Sequence, residues 1–124
     1  MEGPYVYAGF SQGATAAPPF LLKHSSKFPT IIFAEGAYES VASPDFARQL
    51  KKGGVSTLIL VCGTGHCVQK ANAARPHLER AGLTVFIGGD PRAGHNLNAP
   101  MQQALAASWP TWFAHDPAWA SFSR

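Results

Sequence analysis

Four short apolar runs, separated by stretches with helical spacing, constrain this chain more than any other feature. They are Tyr5–Ala8, Thr30–Ala34, Ser56–Val61 and Leu83–Ile87. Apolar runs of this length without polar alternation suit strands buried on both faces, which is the environment of a parallel sheet. The intervening stretches carry helix signals. Ser43-Pro44-Asp45 offers a capping serine, a proline at the first helical position and an acid in the first turn. Phe46, Ala47 and Leu50 give that helix a buried face, and Lys51-Lys52-Gly53-Gly54 closes it with cations and glycine. Val68, Ala71, Leu78 and Ala81 repeat at helical spacing up to Gly82, with a bend expected at Pro76. A last helix is expected over about 100–113, with Met101, Leu105, Trp109 and Trp112 on its core side and a kink at Pro110. The helix expected over Gly13–His24 meets Pro18-Pro19, which should kink or end it early. Strand and helix thus alternate four times. That predicts one α/β domain over 1–124: a three-layer sandwich with a mostly parallel sheet of about four strands.

Charge and size exclude several classes. The 124 residues suffice for one core, and 46% hydrophobic against 14% charged residues marks a folded chain. The formal charge of +3 is scattered, with only Lys51 and Lys52 adjacent, so no nucleic-acid footprint is expected. No apolar run approaches a membrane span, and Met1–Pro4 leads into the first strand without a leader-like basic and apolar segment. The compartment is therefore unmarked, with the cytoplasm slightly favoured.

Chemistry concentrates in Tyr5-Val6-Tyr7-Ala8-Gly9-Phe10-Ser11-Gln12-Gly13-Ala14. An apolar strand runs into a serine flanked at two-residue spacing by Gly9 and Gly13, and then into small residues able to open a helix. A sharp strand-to-helix turn exposes the serine hydroxyl, and glycines on either side are expected for steric reasons. The N–H groups at the helix start point towards developing negative charge.

Gly9-Phe10-Ser11-Gln12-Gly13-Ala14 resembles the nucleophile elbow of α/β-hydrolase-fold serine esterases, and its Ser-Gln-Gly core is similar to that of cutinases and small carboxylesterases. The resemblance runs to about residue 115 and covers only the second half of that fold, from the nucleophile strand onward. It implies a hydrolase of small carboxylic esters working through a serine, a histidine and an acid, with no cofactor and no metal.

A serine needs a base, and the base needs an orienting group. His95, in the loop Gly88–Leu97 after the last strand, is the leading base, because ligands of parallel sheets bind beyond the carboxyl ends of the strands. Its Gly-His pair also resembles the catalytic-histidine loop of the family. His77 competes on a Pro-His-Leu segment similar to that of cutinases, although it lies within an expected helix. The family places its acid in the loop that here reads Cys62-Gly63-Thr64-Gly65-His66-Cys67, where His66 stands instead. Glu35, at the end of the preceding strand, is the best substitute, with Glu39 and Asp90 as fallbacks.

Gln12 N–H is the first expected oxyanion donor. The resemblance implies that the second comes from a loop upstream of the elbow, outside this sequence. Loss of one donor typically costs about 100- to 1,000-fold in rate. Cys62 and Cys67 fit a small-loop disulfide in an exported protein or two thiols in a cytosolic one, and with His66 would make a poor metal tetrahedron. A first strand with nothing beside it would be a bare sheet edge, so a homodimer is expected, with Phe20-Leu21-Leu22 in its interface. The rival readings are a non-catalytic half-hydrolase acting as an interaction or structural module, and a phosphate or nucleotide binder using Gly63-Thr64-Gly65 or Gly88-Gly89.

Overall fold

A computed structural model describes residues 4–114. Met1–Gly3 and residue 115, the expected limit of the resemblance, lie outside the described residues. Four strands, β1 (Val6–Phe10), β2 (Thr30–Ala34), β3 (Thr57–Val61) and β4 (Thr84–Gly88), form one sheet in the order β1-β2-β3-β4. Every neighbouring pair is parallel. All five residues of both β2 and β3 are buried, the starting threonines Thr30 and Thr57 included, as in a parallel sheet covered on both faces.

The helices follow from the topology. Each crossover steps to the next strand in the same direction, and right-handed crossovers of that kind all fall on one face of the sheet. That face carries α1 (Gln12–Thr15), α2 (Pro18–Lys23), α3 (Tyr38–Val41), α4 (Pro44–Gly53) and α5 (Gly65–Arg80). Their side chains Ala14, Leu21, Val41, Leu50 and Leu78 share one core with Ile31, Phe33, Leu58 and Leu60 of the strands. The last helix, α6 (Ala99–Ala114), covers the opposite face, where Met101 and Trp112 pack against Ile32, Ile59 and Val61. Three layers result.

Local chemistry explains the element ends. Pro18 and Pro19 divide the expected Gly13–His24 helix into α1 and α2, with proline opening α2, where a missing N–H costs nothing. Ser43 caps α4 by accepting a hydrogen bond from Phe46 N–H, and Gly54 closes it at φ 114°. Pro76 and Pro110 both lie within their helices. Leu105 and Trp109 lie partly buried on the core side of α6, as the spacing predicts.

One expectation is overturned on the helical face. Leu21 is fully buried in the chain's own core, so it is not available to an interface, whereas Phe20 is 45% exposed. The reason is the short α2, which turns Leu21 inward into the core cluster that also holds Ala17 and Phe28.

Candidate active site

Register brings the site together. Phe10, Ala34, Val61 and Gly88, the last residues of the four strands, stand side by side across the sheet. The next residue of each strand is tied to its neighbour: Ser11 N–H donates to Ala34 O (2.8 Å), Glu35 N–H to Val61 O (3.0 Å) and Cys62 N–H to Gly88 O (2.8 Å). Ser11, Glu35 and the Cys62–Cys67 loop therefore line one sheet edge, which is the carboxyl-terminal edge that serves as a ligand site in parallel sheets.

Two turns on this edge hold non-glycine residues in the left-handed region. Ser11 has φ 55° and ψ −112°, and Glu35 and Ala37 have φ 53° and 63°. Such backbone costs on the order of 1–3 kcal/mol per residue and persists only where the surroundings enforce it. Here close packing enforces it. A Cβ on Gly9 would stand 2.7 Å from Gly13 O and 2.8 Å from Ala14 N, and one on Gly36 would collide with the Ser11 carbonyl oxygen. Gly13 differs from expectation, because a Cβ there meets open space. The tight approach is made by Gly9 and Gly36 from either side of the elbow, and the Gly36 contact joins residues 25 apart that sequence spacing could not connect.

The side chains form a continuous hydrogen-bonded series. Ser11 Oγ lies 2.8 Å from His95 Nε2, and His95 Nδ1 lies 2.9 Å from Glu35 Oε1. With the proton on Nδ1 donated to the carboxylate, Nε2 is free to accept from the serine hydroxyl. Glu35 is 4% exposed and accepts two further donors: Gly63 N–H at 2.8 Å from Oε2, and the Thr64 hydroxyl at 3.1 Å. The His95 ring packs on Phe10 with centroids 5.1 Å apart, while its side chain stays 53% exposed. Acid and histidine are thus held from below, and the serine–imidazole end opens to solvent.

The other candidates do different work. His77 Nε2 donates to Val41 O (2.7 Å) and secures α5 to α3. Asp90 pairs with Arg92 in an exposed turn (3.1 Å); the Arg92 hydrogen bond holds its carboxyl below the usual range, and Asp90 pushes Arg92 upward in turn. Glu39 is exposed on α3. His66 opens α5, with its ring edge-on to Tyr38 (5.4 Å). Burial, with the neighbouring Glu35 charge in second place, raises the Tyr38 phenol above its ordinary range.

Cys62 and Cys67 are joined in a disulfide, so the sulfurs beside Glu35 do not offer thiolates to a metal. Gly63 N–H and the Thr64 hydroxyl donate to the Glu35 carboxylate. Gly88 packs under the Trp112 ring, and Gly89 (φ 99°) against the Cys62 backbone.

Sequence reasoning missed Thr64 and Gly63 as partners of the acid. The vacant acid position in the Cys62–Cys67 loop was the available signal: a loop that lacks its own carboxylate can serve one from the next strand. The fold and site together define an α/β protein with a four-stranded parallel sheet and a Ser–His–Glu series at its carboxyl-terminal edge. Comparison with protein-family models, curated proteins and solved structures finds no match to this chain.

Proposed function

We propose that this protein is a serine hydrolase of α/β-hydrolase type acting on small carboxylic esters. The observation that carries the reading is the unbroken Ser11–His95–Glu35 hydrogen bonding, with both links at 2.8–2.9 Å, on a strained strand-to-helix turn. Ser11 Oγ attacks the ester carbonyl while His95 Nε2 takes its proton. Glu35 orients the ring and stabilises the imidazolium. Gln12 N–H, at the first position of α1 and without an intrahelical acceptor, faces the developing oxyanion. His95 then protonates the departing alcohol, and water, deprotonated by the same ring, releases the acid from the acyl-enzyme.

β1 is the edge of the sheet, with β2 as its neighbour within the chain. Val6 and Tyr5 are 36% and 41% exposed along it. This supports a homodimer in which a second copy covers the edge. The same exposed edge also suits an interaction surface, which favours the second reading, a non-catalytic hydrolase-like module. Turnover of p-nitrophenyl acetate by wild type and Ser11→Ala separates the two. A loss of at least a hundredfold in the variant is expected. Equal rates would rule out the serine mechanism and leave the module.

A further inference from the structure

The loop from Cys62 to Cys67 touches two parts of the proposed machinery, Glu35 and the His95 loop, without contributing a reacting atom. Gly63 N–H donates to Glu35 Oε2 at 2.8 Å, and the Thr64 hydroxyl lies 3.1 and 3.2 Å from the two carboxylate oxygens. Gly63 O accepts from Gly94 N–H at 2.6 Å, which anchors the residue immediately before His95. Thr64 Oγ also accepts from Cys67 N–H at 3.2 Å and so caps α5. A side chain at Gly63 is impossible here, since a Cβ would run into Gly94 O. The disulfide closes this segment across five residues of separation, tying the end of β3 to the first turn of α5.

We propose that the disulfide-closed Cys62–Cys67 loop is a clasp that positions Glu35 and the His95 loop together, with Thr64 its principal positioning side chain. The oxidised protein is then the competent form. This rests on the serine-hydrolase reading. A buried carboxylate must find its hydrogen bonds within the protein, and this loop supplies two of the three donor groups that Glu35 receives. Closing a ring of six residues removes backbone freedom at Gly63, which has no side chain to restrict it. A dithiol reductant opens the clasp by donating two electrons and two protons. The S–S bond breaks, Cys62 and Cys67 become thiols, and the reductant leaves as its own disulfide. Gly63 and Thr64 are then held only by their hydrogen bonds.

The test compares oxidised and fully reduced wild type, with reduction verified by mass, alongside Thr64→Val and Thr64→Ser. Three quantities are read: the rate of fluorophosphonate labelling at Ser11, hydrogen exchange at the Gly63 and Gly94 amides, and the downfield imidazole N–H resonance of the His95–Glu35 hydrogen bond. Reduction and Thr64→Val should each slow labelling about 10- to 100-fold, by analogy with the loss of an outer-shell partner of a metal-bound histidine. Both should also speed exchange at Gly63 and shift or broaden the imidazole resonance. Thr64→Ser keeps the hydroxyl and should restore all three. Unchanged labelling and Gly63 exchange on reduction, with Thr64→Val equal to wild type, would overturn the clasp. Faster Gly63 exchange with no labelling of Ser11 in either state would support the clasp and sink the hydrolase reading instead.

Discussion

Glu35→Gln is the sharpest perturbation of this site, because it changes charge and donor pattern while keeping shape. In the wild type the carboxylate only accepts: from His95 Nδ1–H at 2.9 Å, from Gly63 N–H at 2.8 Å and from the Thr64 hydroxyl at 3.1 Å. A glutamine must turn its NH2 towards one of these donors. Aimed at Gly63 N–H, it sets two donors face to face in a buried site, at a cost of about 1–3 kcal/mol. Aimed at His95, it forces Nδ1 to accept, so the ring proton moves to Nε2 and points at Ser11 Oγ. The proposed base is then in the wrong tautomer. The corresponding aspartate-to-asparagine change in serine proteases lowers kcat by about 10^4, which is about 5.4 kcal/mol of transition-state stabilisation. We expect a loss of that order in p-nitrophenyl acetate turnover, with Glu35→Asp intermediate. Fluorophosphonate labelling should fall in parallel while circular dichroism stays unchanged. A Glu35→Gln variant retaining more than a tenth of wild-type activity would refute the role proposed for Glu35.

Gly36→Ala should both destabilise the fold and slow Ser11 labelling at least tenfold, because its Cβ collides with the elbow carbonyl. Gly13→Ala, which meets open space, should stay within about 0.5 kcal/mol of wild type in urea unfolding; the reverse ranking would contradict the packing described. Tyr38 is held neutral beyond its ordinary value of 10.0, chiefly by burial. The folded state therefore retains that proton longer than the unfolded chain, so stability is full below pH 10 and declines as pH rises above it. Tyr38→Phe should lessen this alkaline loss in unfolding curves taken through that range, and identical curves would count against it. Light scattering at micromolar concentration should give the mass of two chains, with Val6→Lys, on the exposed β1 edge, giving one; a single-chain mass for wild type would eliminate the dimer.

Much of the architecture was legible because it depends on properties that neighbouring residues share. The runs Thr30–Ala34 and Thr57–Val61 announce strands buried on both faces, Ser43-Pro44-Asp45 announces a helix start, and Pro18-Pro19 announces a break. The elbow was legible for the same reason: Gly9, Ser11 and Gly13 lie within five residues of one another. The structure nevertheless reassigns part of its steric role from Gly13 to Gly36.

What the chain determined by itself, then, was its strand–helix order and the residue types available at each strand end, because propensity, capping and hydrophobic runs act over a few neighbours. Only tertiary structure put Glu35, rather than Glu39 or Asp90, and His95, rather than His77, in one hydrogen-bonded series with Ser11. Those choices depend on register, which sets Phe10 beside Ala34 and Ala34 beside Val61, and so carries residues 84 and 60 apart in sequence to within 3 Å. Through-space partners of this kind leave no local trace, and the hold of Gly63 and Thr64 on the acid became visible only once the strands were aligned.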